Sequence, residues 1–326
     1  MKYAIVTLIS FVLFLGCVQN DPGWEKGQVY KIESLNPPIG TNTTGFTELD
    51  PTETGVNAAN KIGQKEVMEN QHLMHGSGVA LGDVNGDGWV DIYIPRIRES
   101  NILYINKGNW TFEDQTASAG IACANRYSTG STFADVDGDK DLDLILTALG
   151  GPNSIFINDG NGKFTEKKLA SFLDRPGSTS SALADIDNDG DLDLYITNYK
   201  RLAMRDSLPP PVISFDNTLM EITNNRWIVM PPFNKEYETS VRNNLLLRFE
   251  MAEVDQLYLN DGKGNFNLID ITSSHFTDET GAPIQDHLRD WGLMAQFRDI
   301  NNDSHPDLYI CNDFESPDRA WINNGD

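Results

Sequence analysis

The stretch DIDNDGDLDLYI, from Asp185 to Ile196, decides the fold. Three more stretches align with it without gaps: DVNGDGWVDIYI from Asp83, DVDGDKDLDLIL from Asp135 and DINNDSHPDLYI from Asp299. Their starts are 52, 50 and 114 residues apart. A second match follows each one. LYIN ends at Asn106, IFIN at Asn158, LYLN at Asn260 and WIN at Asn323. Measured from the last Asp of each acidic loop, the offsets are 15, 15, 67 and 16, so an insertion occupies about 199–255. A third match, led by Phe, recurs as FTELD at Phe46, FEDQT at Phe112, FTEKK at Phe164 and FNLID at Phe266.

One repeat therefore reads strand, acidic loop, strand, loop, strand, Asn-Gly turn, strand. Short apolar runs bounded by Gly, Asn and Asp are strand signals, and segments such as NDGNGKF are hairpin turns, because Gly and Asn accept positive φ. Four short strands in about 50 residues is the arithmetic of a β-propeller blade. A separate domain of that size without a disulfide could hardly bury a core. The expected fold is all-β, with about four visible four-stranded blades belonging to a larger, about seven-bladed ring. Boundaries set at the Phe-led strands give blades at about 46–111, 112–163, 164–265 and 266–326, the last truncated. Since WINNGD stops inside a turn, the chain is read as an N-terminal fragment.

The acidic spacing has a chemical meaning. Positions 1, 3 and 5 turn inward around a tight loop, position 7 offers a carbonyl and position 9 closes the cage. Two carboxylates at 4 Å repel by roughly 4 kcal/mol at an effective dielectric of 20, so a folded loop of this kind needs a cation. Ca²⁺, which takes six to eight oxygens, suits a wide protein cage better than Mg²⁺. An EF-hand is excluded, because its twelfth position is a bidentate Glu between helices, whereas Ile94, Leu146, Ile196 and Ile310 stand there.

With these residues in place, the chain resembles the FG-GAP or VCBS calcium-loop repeat of integrin-α-type propellers and bacterial surface proteins. AEVDQLYLNDGKGNF, DWGLMAQFRDINNDSHPDLYICNDFESPDRAWINN and the opening FTELDPTETGV are similar to the bacterial cartilage-acidic-protein-like group, whose members carry a further C-terminal ASPIC/UnbV-associated module. The resemblance implies about four structural Ca²⁺ ions. The first site would use Asp83, Asn85, Asp87, the Trp89 carbonyl and Asp91. The second would use Asp135, Asp137, Asp139, the Asp141 carbonyl and Asp143. The third would use Asp185, Asp187, Asp189, the Asp191 carbonyl and Asp193, and the fourth Asp299, Asn301, Asp303, the His305 carbonyl and Asp307. Sites two and three, with more carboxylates, should bind tightest. Position 6 is Gly88 and Gly190 in two loops but Lys140 and Ser304 in the others.

Composition agrees with a cation-binding surface. The chain has 48 Asp and Glu against 25 Lys and Arg, a net charge of −23, which argues against nucleic acid. A hydrophobic fraction of 39% excludes wholesale disorder.

The chain opens MKYAIVTLISFVLFLGC, with Lys2 before an apolar run from Tyr3 to Leu15, the length of a signal-peptide core. Its Gly16-Cys17 closure resembles a bacterial lipobox, which implies cleavage after residue 16 and lipidation of Cys17. Residues 17–45 read as a tether and 46–326 as the propeller. Cys123 and Cys311 fall in non-adjacent repeats and are expected as free, mostly buried thiols. His72 and His75 read as surface or packing residues. Asp286, His287, Asp290 and Trp291 form a weak acid-His-aromatic cluster, and the tryptophans at 89, 110, 227, 291 and 321 read as packing residues. The insertion carries Lys200, Arg201, Arg205, Arg226, Lys235, Arg242 and Arg248, and reads either as a recognition surface or as a flap over an edge.

No catalytic motif is present among GxSxG, HExxH and the P-loop. The expected function is a calcium-binding propeller outside the cytoplasm, held to a bacterial membrane by lipid alone and binding a protein or glycan. The alternatives are a carbohydrate-active enzyme on the same scaffold, or a spacer presenting the C-terminal module. Mass spectrometry of the mature protein should find an N-terminal, lipid-modified Cys17. Cleavage elsewhere with an unmodified thiol would reject the anchor.

Overall fold

The computed structural model describes residues 47–325, apart from 125, 173–176, 224–225, 244, 273–275 and 314–315. The signal segment, Cys17, the tether and Phe46 lie outside the described residues. Leu49–Asp326 is one compact unit. It is all-β apart from short helical turns. Among the described residues no helix is long and apolar enough to cross a membrane.

Sheet one runs through Ala80–Gly82 (β1), Asp91–Ile94 (β2), Ile102–Asn106 (β3) and Phe112–Asp114 (β4), each antiparallel to the next. Sheet two repeats this with Ser128–Ala134 (β5), Asp143–Ala148 (β6), Ser154–Asn158 (β7) and Phe164–Lys167 (β8). In sheet three, Ser178–Ala184 (β9) pairs with Asp193–Asn198 (β10). The chain then leaves the sheet and forms two hairpins, Leu219–Thr223 (β11) with Arg226–Val229 (β12), and Tyr237–Arg242 (β13) with Leu245–Glu250 (β14). It returns as Gln256–Leu259 (β15) beside β10, and Asn267–Ile269 (β16) closes the sheet. Sheet four holds Gly292–Arg298 (β17), Asp307–Asn312 (β18) and Arg319–Trp321 (β19).

These sheets correct the blade boundaries drawn at the Phe-led strands. Phe112–Asp114 pairs with β3 of the sheet it follows instead of opening the next, as do β8 and β16. The reason is local. An Asn-x-Gly turn joins neighbouring strands into a hairpin, so the strand after the turn cannot leave its partner. Sheet one accordingly spans 80–114 rather than 46–111. Thr47–Asp50 is not a strand, and Pro51–Thr54 is a short helix whose N-cap, Asp50, accepts from the Thr52 N–H at 2.7 Å.

Three apolar cores lie between successive sheets. Tyr93, Leu103 and Val84 of sheet one meet Leu144, Leu146 and Phe156 of sheet two. Ile145, Ile155 and Val136 meet Leu194, Ile196 and Tyr258. Tyr195 and Leu257 meet Ala295, Leu308 and Ile310. The first strands of the sheets run side by side and are tied by polar bonds. Gly78 N–H donates to the Thr129 carbonyl at 2.8 Å, the Thr129 hydroxyl to the Ser178 carbonyl at 2.6 Å and the Thr179 hydroxyl to the Gly292 carbonyl at 2.8 Å.

The insertion leaves the end of sheet three opposite its acidic loop, and its root is packed. The buried Lys200 ammonium lies 2.8 Å from Glu236 and 2.9 Å from Glu250, and donates to the Met251 carbonyl. Arg248 stacks on Tyr237 and Phe215. Two of the seven basic residues are thus internal struts. Trp291 is buried against Tyr199 and Ala252. Trp89 and Trp110, expected in packing, are exposed instead, because both sit on loops outside the sheets.

An Asx residue closes the loop before each third strand. The Asn101 side-chain oxygen accepts from Arg96 N–H and its amide donates to the Tyr93 hydroxyl at 2.7 Å, while Asn153 accepts from Ala148 N–H. Sheet three has Asp255 there, accepting from Asn198 N–H at 2.6 Å and from the Tyr195 hydroxyl at 2.9 Å. Burial pushes this carboxyl from 3.8 up to about 7. Because its folded value lies above its unfolded value, stability falls as pH rises from about 4 to about 7 and stays lower above that window. Asp255→Asn, which reproduces the Asn101 arrangement, should flatten this dependence. It should stabilise the protein by roughly 2–4 kcal/mol at pH 8 and hardly at all at pH 4, read from urea melts at the two values. Equal effects at both pH values would contradict the assignment.

Candidate metal centre

Each acidic loop folds around its own carboxylates. The first Asp accepts two backbone N–H groups from across the loop: Asp83 from Asp87 and Gly88, Asp135 from Gly138 and Lys140, Asp185 from Asp189 and Gly190, Asp299 from Asp303 and Ser304. The fifth-position carboxylate accepts from the N–H of position 7, at 2.9 Å for Trp89, 3.0 Å for Asp141, 3.1 Å for Asp191 and 2.9 Å for His305. Position 6 has positive φ in all four loops, 86° at Gly88, 77° at Lys140, 96° at Gly190 and 76° at Ser304. Lys140 and Ser304 therefore keep the glycine geometry at some backbone cost.

The ninth-position carboxylates, Asp91, Asp143, Asp193 and Asp307, are fully buried at the head of each second strand. One oxygen accepts the N–H of position 2: Val84, Val136, Ile186 and Ile300, at 3.0, 3.0, 2.9 and 2.8 Å. The other accepts the N–H of the Asn that ends the third strand: Asn106, Asn158, Asn260 and Asn323, at 2.8, 2.8, 2.9 and 2.9 Å.

Loops two and three bring their carboxylates together. Oxygens of Asp135, Asp137 and Asp143 lie within 4.8 Å of one another, as do those of Asp185, Asp187 and Asp193. Among the described residues these are the groups of three acids, histidines or cysteines that converge so closely. In loops one and four, position 3 is asparagine, and its amide donates to the fifth-position carboxylate, Asn85 to Asp87 at 3.1 Å and Asn301 to Asp303 at 2.7 Å.

The electrostatics match this crowding. Burial pushes Asp143 and Asp193 up to about 6 against the attraction of two backbone N–H groups each. Burial, with repulsion from Asp189, pushes Asp191 up to about 6. Asp91, Asp137 and Asp187 are also raised, burial leading in each. Two buried oxygens, Asp137 Oδ1 and Asp191 Oδ1, have no hydrogen-bond partner. An orphaned carboxylate oxygen among other carboxylates is what a cation cage presents, so the donor set fits a hard cation.

Two further features were present in the sequence as fixed offsets but not read as joints. The Asn ending each later third strand also reaches the preceding sheet. Asn158 Nδ2 donates to the Val84 carbonyl, Asn260 Nδ2 to Val136 and Asn323 Nδ2 to Ile186, each at 2.8 Å. The turn glycine two residues later, Gly108, Gly160, Gly262 or Gly325, lies under the position-7 side chain of its own sheet at positive φ. At Gly160 and Gly262 a Cβ would meet Asp141 at 2.4 Å and Asp191 at 2.9 Å.

The other candidates disperse. His72 is buried, its Nδ1 2.7 Å from the Lys200 carbonyl, with its ring beside His75, Tyr199 and Trp291. His287 faces Asp270 at 3.8 Å, Asp290 pairs with Arg319, and Trp291 packs elsewhere, so the acid-His-aromatic cluster does not converge. Cys123 and Cys311 are free and half-buried, and burial raises the Cys123 thiol to about 11.

Residues 83–146 and 135–196 match the FG-GAP-like repeat family. Cartilage acidic protein 1 of Mus musculus is 30% identical over 97 residues, 29% of this chain and 15% of that protein. The Xenopus tropicalis and Homo sapiens proteins of the same name are 29% identical over 97 residues. The matched stretch thus spans about 15% of the length of these curated relatives.

Removing one inter-sheet clamp should leave a buried carbonyl unpaired. Asn260→Ala is expected to cost about 1–3 kcal/mol in a denaturant melt. A change under about 0.5 kcal/mol, the range of ordinary surface substitutions, would show that the clamp contributes nothing.

Proposed function

Because the chain carries FG-GAP-like repeats, we propose that it is a calcium-stapled propeller module working outside the cytoplasm as a binding or adhesion surface, anchored by lipid on Cys17. The observation that carries the reading is the convergence of Asp135, Asp137 and Asp143 in loop two and of Asp185, Asp187 and Asp193 in loop three, with Asp137 Oδ1 buried and unpartnered among them. Bound Ca²⁺ would be held by Asp135, Asp137, Asp139 and Asp143 in loop two, by Asp185, Asp187, Asp189 and Asp193 in loop three, and by their counterparts in loops one and four. The ion supplies charge neutralisation, and its role is structural.

Recognition falls to the insertion. Its root is fixed by Lys200, while Val212, Phe215, Met220, Val241 and Leu245 are exposed on it. An apolar, basic arm on a rigid acidic scaffold suits a protein or glycan partner.

Chelation should lower the melting temperature by at least about 5 °C, because each site held at a hundred times its Kd contributes about 2.7 kcal/mol. Added calcium should restore it. Asp187→Ala should weaken loop three at least about tenfold, roughly 1.4 kcal/mol, and leave loop one unchanged by calorimetric titration. A melting temperature indifferent to chelator, with Asp187→Ala as stable as wild type or more so, would sink the calcium reading.

A further inference from the structure

In an Asn-Gly pair the backbone nitrogen of the glycine can reach the asparagine side-chain amide, because glycine carries no Cβ to block the approach. The chain holds three such pairs, Asn85-Gly86, Asn161-Gly162 and Asn324-Gly325. The fold treats them differently. The Gly162 N–H donates to the Asn158 side-chain oxygen at 3.2 Å, and the Gly325 N–H to that of Asn323 at 2.9 Å. Both nitrogens are thus held by the clamp asparagines of their sheets. The Gly86 N–H donates to no partner among the described residues. Its counterpart in loop two, Gly138, donates to Asp135 at 2.8 Å.

The surroundings of Asn85 favour attack on its amide. The Asp87 N–H donates to Asn85 Oδ1 at 3.1 Å, which draws electrons from the amide carbon. The Asn85 Nδ2 donates to Asp87 Oδ2 at 3.1 Å, so the amide is held at both ends. Gly86 is exposed and the space beside it is open, whereas Gly162 is buried. This exposure belongs to the loop itself. In loop two, which has a sheet on either side, Asp137 is likewise half-buried and Gly138 exposed.

We propose that Asn85 is a self-modification site, at which the Gly86 nitrogen converts the asparagine into a carboxylate. The Gly86 nitrogen bonds to Cγ of Asn85 and the Cγ–Nδ2 bond breaks. The proton of Gly86 goes to solvent, and the leaving nitrogen takes one up and departs as ammonia. Water then opens the five-membered imide. Opening at Cγ leaves aspartate, which gives loop one the four side-chain carboxylates of loop two. Opening at the backbone carbonyl leaves isoaspartate, which adds a carbon to the main chain. That disrupts the loop in which Asp83 accepts from Asp87 and Gly88. Loop four does not follow, because Asn301 precedes Asn302, whose side chain hinders the approach. The reaction is independent of any ion. Its effect on ion affinity rests on the calcium reading above.

Peptide mapping by mass spectrometry tests the reaction. The mature chain is held in mildly alkaline buffer, once folded and once in urea. In the folded chain the peptide containing Asn85 should exchange NH for oxygen about tenfold faster than those containing Asn161 or Asn324, the factor for a hydrogen bond that need not be broken. In urea the three should react at similar rates. Asn85→Gln, whose longer side chain must close a six-membered ring, should stay unmodified at that position. A folded chain in which Asn85 reacts no faster than the other two, or the same preference for Asn85 in urea, would overturn the proposal. Calorimetric titration of Asn85→Asp tests the consequence. Loop one should bind Ca²⁺ about tenfold more tightly than in the wild type, and an unchanged affinity would overturn the gain. A protein that binds no Ca²⁺ at any loop would remove the calcium reading and leave the mass result standing.

Discussion

A buried carboxylate at the head of each second strand holds this architecture together. Asp91, Asp143, Asp193 and Asp307 are each shut away from solvent. Such burial is tolerable only because both oxygens are engaged by backbone N–H groups. One bond fixes the start of the acidic loop and the other fixes the end of the third strand. The asparagine at that strand end then carries the constraint across to the preceding sheet. Loop, strand and inter-sheet joint therefore share one polar chain. The same carboxylate belongs to the groups that converge in loops two and three. Any ion that neutralises those acids also acts on the group that organises the sheet.

The register of the fold was legible because the chain repeats it. The acidic loops, the strand after each and the Asn-Gly hairpin recur at nearly constant offsets, and only a strand period with tight turns fits that spacing. The phase of the sheets was less legible. A Phe-led strand looks like a beginning when read along the chain, yet the hairpin before β4, β8 and β16 binds each to the strand it has just left. The loop acids could be located from spacing. Their convergence could not, because whether three carboxylates approach depends on residue 3. An asparagine there donates to its neighbour in loops one and four, whereas an aspartate in loops two and three adds a third carboxylate beside the first and the ninth.

Side-chain roles set by contacts far apart in sequence were the least visible. Lys200 reads as one of seven basic residues in an insertion, but Glu236 and Glu250 come back to it after the hairpin arm has formed. Trp89 reads as a core aromatic, but it lies outside the sheet over its own turn glycine, Gly108. His72 reads as a surface or packing residue, and it is the backbone of Lys200, 128 residues on, that reaches its buried ring and makes it a packing one. Composition and local pattern carry none of these contacts, since each depends on which sheets become neighbours.

The placement of the insertion follows from the same geometry. The connection between first and second strands and the hairpin between third and fourth lie at one end of every sheet. Acids, clamp asparagines and turn glycines all sit at that end, where even one added Cβ at Gly160 or Gly262 would meet a loop carboxylate. The connection between second and third strands lies at the opposite end and carries no part of the joint beyond an Asx residue that closes it. Asn101 and Asn153 do this after short loops, and Asp255 does it after the whole 199–255 segment has passed. Because β10 and β15 still meet in register, the length of that connection is uncoupled from the acidic end. Large changes of sequence are thus confined to one end of the sheets, and the polar chain at the other end stays intact whatever the arm displays.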